Sequence, residues 1–242
     1  MSKPVVPYKE SGKAKKKQVA EMFDNIAHRY DFLNHLLSMG IDHYWRWYAI
    51  RLLRPLHPRQ ILDVATGTGD FAFAALRLQP DHITGIDISE GMLALGRKKI
   101  EQRNMQEKIT FLSGDAENLA FPDETFDAIT VAFGVRNFEN LERGLQELQR
   151  VLKKNGRLVV LEFAKPRAFP VKQLYNAYFR YVLPLIGRFF SKDSSAYTYL
   201  PESVQAFPER QEFMQILTQN GFVNAHCHPL TLGVCAAYSA DK

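Results

Sequence analysis

Cysteine is scarce in this chain: Cys227 and Cys235 are the two in 242 residues. They allow no disulfide framework and fit a reducing cytoplasm. Long apolar runs are missing as well, none approaching the roughly 18 residues that suggest a membrane span. The first 23 residues carry charge with no apolar stretch behind it, so no secretory signal is predicted. Repeats are absent. Hydrophobic residues are plentiful at 46%, enough for a full core, and the length fits one domain with additions.

The net charge is +5, and part of it is the cluster Lys13, Lys15, Lys16 and Lys17 in the leader. Such a cluster is either a solvated terminus or an electrostatic contact with an anionic surface. No arginine–aromatic stripe marks a base-stacking surface, so a nucleic-acid partner is not expected.

Hydrophobic periodicity divides the chain. Residues 1–17 read as a flexible basic leader and 18–55 as a helical cap, with breaks at Gly40 and Pro55. Over 56–164, short apolar runs alternate with helical stretches, the pattern of βαβ units and a parallel sheet covered on both faces. Residues 165–205 are rich in aromatics and helical, a substrate lid. Residues 206–242 predict a helix and two strands forming an antiparallel hairpin that completes the sheet.

The first strand runs into Asp63-Val-Ala-Thr-Gly67-Thr68-Gly69-Asp70. Glycines here let the backbone turn tightly and approach a ligand at a helix N-terminus. Alone, Gly67-x-Gly69-x-x-Ala72 also fits a dinucleotide fingerprint, and a bare strand-to-helix turn. Asp87, ending the second strand, has the spacing of a carboxylate that accepts from both ribose hydroxyls. Asp63 and Asp70 flank the loop; they would repel a pyrophosphate but suit an ammonium and a sulfonium. Asp115-Ala116, after the third strand, offers an acceptor for an adenine amino group. Ribose, amine and adenine recognition without phosphate recognition selects S-adenosylmethionine over NAD.

These motifs resemble those of the class I S-adenosylmethionine-dependent methyltransferases. More narrowly, "YDFLNHLLSMGIDHYWR", "FGVRN", "RVLKKNGRLVVLEFAKP" and "YTYLPESVQAFP" are similar to the ubiquinone/menaquinone C-methyltransferases, from about residue 18 to 238. The resemblance implies an α/β Rossmann-like fold: a mostly parallel sheet with helices on both faces, a C-terminal antiparallel hairpin, a helical cap and an aromatic-rich insertion. It implies cofactor contacts at Thr68, Asp87, Asp115 and Ala116, beside Asp63, Gly67 and Gly69. It also implies a polyprenylated hydroquinone as substrate, most simply demethylmenaquinol. Three departures stand out: Ala132 where a serine is frequent, Thr66 for a glycine, and "KKNG" for a Pro-Gly-Gly turn.

Ring methylation needs an electron-rich carbon, which deprotonation of a ring hydroxyl provides. Arg136 and Asn137, after the fourth strand, are assigned to hold and orient the phenolate. The structural alternatives are an ion pair of Arg136 with Asp63, Asp70 or Glu162, and helix capping by Asn137. Candidate bases are His28, Tyr30, Asp31, His43 and Glu162, with Tyr30 and Asp31 placed to line the pocket. The pair His226/His228 is not expected to bind metal, and no metal site is assigned. Phe169, Tyr175, Tyr178, Phe179, Tyr181, Phe189 and Phe190 are read as a wall for an isoprenoid tail, with Arg180, Arg188 and Lys192 set for peripheral contact with a membrane. Oligomeric state is left open, a homodimer among the options.

Overall fold

The computed structural model describes residues 5–178, 181 and 195–242. Two helices lead, α1 (Lys15–Leu37) and α2 (Ile41–Leu53), parted by Gly40 at φ 74°. There follow β1 (Gln60–Val64), α3 (Asp70–Ala75), β2 (His82–Asp87), α4 (Glu90–Gln102), β3 (Ile109–Ser113), β4 (Phe126–Ala132), α5 (Leu141–Val151) and β5 (Leu152–Phe163). The chain closes with α6 (Val171–Ala177), α7 (Ser195–Ala206), α8 (Gln211–Gln219), β6 (Val223–Leu230) and β7 (Cys235–Asp241). Phe179, Arg180, Arg188, Phe189, Phe190 and Lys192 lie outside the described residues.

The seven strands form one sheet in the order β3-β2-β1-β4-β5-β7-β6. Strands β1 to β5 pair in parallel, and β7 runs antiparallel to both β5 and β6. This is the mostly parallel sheet with a terminal antiparallel pair that the sequence predicts. Side chains alternate across it. Leu158 and Val160 pack toward α5 and α8, whereas Val159 and Leu161 pack toward α2 and α3. A strand with period two can only do this when both faces are covered. Each such leucine or valine stabilises the fold by about 1.5–3 kcal/mol through burial.

Chain order reverses between β1 and β4, and ligands of open α/β sheets bind outside the strand carboxyl ends at such a point. Two non-glycine residues there have left-handed backbones: Ala65 (φ 53°) after β1 and Phe133 (φ 56°) after β4. Such conformations cost of order 1–3 kcal/mol and cluster at functional sites. Between them, Gly134 is held so close that a Cβ would sit 2.4 Å from that of Ala65. The strand β5 starts at Leu152, earlier than the Asn155-Gly156 turn suggests. Its left-handed Asn155 (φ 62°) is carried inside the strand.

Candidate active site

The ends of β1, β2 and β4, the residues after β3, and one side of α1 from Lys16 to Tyr30 enclose a cavity. Gly67, Asp87, Asp115 and Ala116, four of the residues expected to contact the cofactor, line it. Asp87 is held by two backbone donors: Gly67 N–H reaches Oδ2 at 2.8 Å and Ser89 N–H reaches Oδ1 at 2.9 Å. Burial raises its pKa. Asp115 accepts from Glu117 N–H at 2.9 Å and pairs with Lys16 at 2.6 Å. Val64, Ile86, Ile88 and Met92 supply apolar walls.

Asp63, Thr68 and Gly69 are not part of that lining. Asp63 is buried beneath the loop, accepting from the hydroxyls of Thr66 and Thr130, both at 2.6 Å. Burial lifts its pKa to about 6. Asp70 is spent on Lys99 (3.1 Å) and Arg46 (3.3 Å). The two flanking carboxylates thus anchor the loop to its surroundings. Thr68 Oγ1 donates to Asp31 at 2.5 Å, and Lys99 closes the triangle by pairing with Asp31 at 2.6 Å. Gly69 serves a packing need, since a Cβ would fall 2.4 Å from the Phe111 ring and its φ is 93°.

The remaining carboxylates facing the cavity are Asp87, Asp115, Glu117 and Glu139, against one lysine, Lys16. Lys16 is matched by Asp115 and by Glu117 at 3.2 Å. That balance repels phosphate and suits an adenosine bearing a positive sulfonium and ammonium.

A second, larger cavity of about 430 Å³ adjoins the first, within the range that holds small ligands. Phe23, Tyr30 and Phe133 belong to both walls. Its lining is mostly apolar: Met22, Ile26, Trp45, Phe163, Leu174 and Leu200 among others. Two buried ion pairs interrupt it. Arg46 pairs with Asp42, which also accepts from Ser38 Oγ at 2.6 Å.

The other pair stands with Arg136 on the wall of the second cavity and Glu162 behind it, outside both linings. Arg136 Nη1 meets Glu162 Oε1 at 2.7 Å, so the ion pair weighed from sequence forms, and Glu162 is the partner. Glu162 is fully buried, which raises its pKa, and among the described residues neither its Oε2 nor Arg136 Nε has a hydrogen-bond partner. The guanidinium lies 5.5 Å from the centroid of Phe163. Asn137 does not cap α5; Asn140 does, accepting from Arg143 N–H at 3.0 Å. Asn137 instead lines the first cavity and accepts from the hydroxyl of Tyr199, in the second, at 3.1 Å. Burial pushes the Tyr199 phenol up to about 12.

The candidate bases separate on geometry. His28 and His43 are exposed and line neither cavity. Asp31 is committed to Thr68 and Lys99. Tyr30 stands on the shared wall, 5.8 Å from Phe23 ring to ring. Lys15 and Lys16 were legible only as leader charge. Yet Lys15 Nζ donates to the carbonyls of Arg136 (3.1 Å) and Phe138 (2.8 Å), and burial lowers its pKa. Tyr199 sits in "YTYLPESVQAFP", a stretch noted for its resemblance with no role given to the tyrosine.

A sequence profile of the ubiE/COQ5 methyltransferase family matches residues 11–242. The chain belongs to the ubiE/COQ5 methyltransferase family. A Bacteroides fragilis protein named demethylmenaquinone methyltransferase is 50% identical over 98% of this chain and 97% of its own. A Geotalea daltonii protein named ubiquinone/menaquinone biosynthesis C-methyltransferase UbiE is 46% identical over 94% of this chain and 97% of its own. In fold, the chain is similar to a SAM-dependent methyltransferase from Thermotoga maritima. The TM-score is 0.62 at 21% identity, covering 92% of this chain and 99% of that one. As a ubiE/COQ5 methyltransferase, the protein uses S-adenosylmethionine, and the first cavity has the charge balance and walls to hold it. Asp87 would take the ribose, Asp115 and Ala116 the adenine, and the Gly67 loop the methionyl end.

Proposed function

We propose that this methyltransferase methylates a ring carbon of a polyprenyl hydroquinone, converting demethylmenaquinol to menaquinol. The observation that carries the reading is the shared wall: a carboxylate-lined cavity opens through Phe23, Tyr30 and Phe133 onto an apolar one. Arg136 and Tyr199 line the apolar side, and Asn137 the other. The relatives' names support the same substrate class.

When bound, the cofactor supplies an electrophilic methyl group on a sulfonium. The protein's share is to make the ring nucleophilic and keep the site dry. Arg136 does not act as a base, since an arginine stays protonated at any relevant pH. Its guanidinium, on the wall of the apolar cavity, is the donor for the ring oxygen and favours the phenolate. The Arg136–Glu162 pair is neutral as it stands. Glu162, buried outside both linings, is the standing counter-charge that keeps the guanidinium from being an unpaired ion in an apolar cavity. Asn137 and Tyr199 fix the turn at the join, and the apolar walls exclude water.

Quinones extracted from cells lacking the protein and analysed by mass spectrometry test the reading. Demethylmenaquinone accumulates and menaquinone disappears; menaquinone at its normal level removes the proposal.

A further inference from the structure

Large apolar side chains stand exposed where the second cavity meets the surface. Met39 is 80% exposed, Leu174 67% and Leu232 75%, from three separate segments. Met39 and Leu174 line the cavity, and Leu232 lies between its lining residues Thr231 and Val234. Hydrogen bonds hold these parts side by side. Trp45 Nε1 donates to Thr231 Oγ1 at 2.7 Å, and the Tyr48 hydroxyl lies 3.3 Å from His228 Nδ1. The turn between β6 and β7 therefore runs along α2.

The outward face of α2 continues the patch. Tyr44, Trp47 and Arg51 follow one another at helical spacing, with Arg54 next, and all four are exposed. The Tyr44 and Trp47 rings stack at 5.9 Å, and Arg51 lies 4.8 Å from the Trp47 centroid. This is an arginine–aromatic stripe that the linear sequence did not reveal.

Local structure does not account for these residues. Met39 (φ 51°) and Leu232 (φ 56°) hold left-handed conformations, where a bulky side chain is disfavoured and glycine or asparagine fits. Charge is as one-sided as hydrophobicity. Across residues 39–57, 165–178 and 228–235, Asp42 is the sole acidic residue, and it is buried against Arg46. Arg51, Arg54, Arg167 and Lys172 are exposed in the same segments, Arg167 lying 3.6 Å from Glu209. By contrast, Lys13, Lys15 and Lys16 of the leader are engaged inside the chain.

We propose that this face, Leu232 with the Tyr44–Trp47–Arg51 stripe of α2, seats the enzyme on an anionic lipid bilayer, with the mouth of the second cavity toward the lipid. Apolar and aromatic side chains enter the interface while arginines meet the headgroups. This rests on the polyprenyl hydroquinone reading, because a substrate of that class resides in the bilayer.

The test is sedimentation of the purified full chain with vesicles of phosphatidylcholine, with and without phosphatidylglycerol. Substrate vesicles carrying a long-tailed demethylmenaquinol and a short-tailed, water-soluble analogue are assayed in parallel. The wild type is retained on the anionic vesicles and far less on neutral ones. Trp47→Ser with Leu232→Asn lowers retention at least tenfold, while Lys13→Ser with Lys17→Ser leaves most of it. The Trp47/Leu232 variant methylates the soluble analogue as the wild type does and loses at least fivefold on the vesicle-borne quinol. Retention unchanged by Trp47→Ser and Leu232→Asn, singly or together, overturns the proposal. So does a dimer that the pair dissociates without any vesicle binding, or retention of RNA in place of vesicles. No methylation of either quinol by the wild type would sink the function proposed above, and is a separate outcome.

Discussion

The two cavities meet at one wall but are built differently. Strand ends and turns make the first: Asp87 is clamped by two backbone N–H groups, and the Gly67 loop stands on Asp63 below it. Side chains make the second, drawn from α1, α2, α6, α7 and the turn after β6. A cofactor common to many reactions is met by backbone geometry that one short stretch can encode. A particular substrate is met by surfaces that only folding assembles.

If that contrast is right, substitutions should divide cleanly between cofactor affinity and turnover. The largest effect is expected on the wall of the apolar cavity: Arg136→Ala lowers kcat about 10²–10³-fold, the cost of one fixed donor to a developing oxyanion, some 2.7–4 kcal/mol. Cofactor affinity by calorimetry stays within about threefold; equal loss of both would merge the two regions into one. Glu162→Gln serves as the companion, expected to keep the fold and lower kcat.

Asp63 offers a test through pH. Its folded pKa of about 6 lies above its unfolded value, so the folded state favours the protonated form. Stability from this group is fullest below the unfolded pKa and falls as pH rises to about 6. The loss is of order 3 kcal/mol at neutral pH. Denaturant unfolding between pH 4 and 7 should therefore show a shallower decline for Asp63→Asn than for wild type. An unchanged slope would mean that burial beneath the loop does not favour the protonated form of Asp63.

Asp87→Ala is expected to weaken cofactor binding by about 10–100-fold, as charged-acceptor hydrogen bonds are worth roughly 1.5–3 kcal/mol. The kcat at saturating cofactor should move little. The smallest effect is at the bridge between the cavities. Tyr199→Phe removes one hydrogen bond to Asn137, worth about 0.5–1.5 kcal/mol. A severalfold change in kcat is expected, and none at all would mean that the bridge does not place Asn137.

The legibility of the sequence follows the same division. The βαβ alternation, the glycine loop and Asp87 were readable because the chemistry lies within a few residues of a strand end. The roles of Asp63, Asp70 and Thr68 were not, because a carboxylate beside a loop looks the same whether it faces the ligand or the core. Thr66 and Thr130 around Asp63, and Arg46 and Lys99 around Asp70, decide the direction. Asn137 and Asn140 both precede α5, and folding gives the cap to Asn140 by winding Asn137 into a short 3-10 turn. Lys15 shows the limit most sharply. Its partners are carbonyl oxygens some 120 residues away, and carbonyls leave no mark in a sequence.

Ala65 and Phe133 hold left-handed conformations where the strands end, and that bears on how this enzyme would respond to selection for heat resistance. Glycine or asparagine at either position would relax the backbone, so screens for thermal tolerance should favour such substitutions. They would blur the contact of Ala65 with Gly134 and remove the Phe133 ring from the common wall. Hardier variants would then be slower ones, and the margin of stability this protein forgoes would be read as lost turnover.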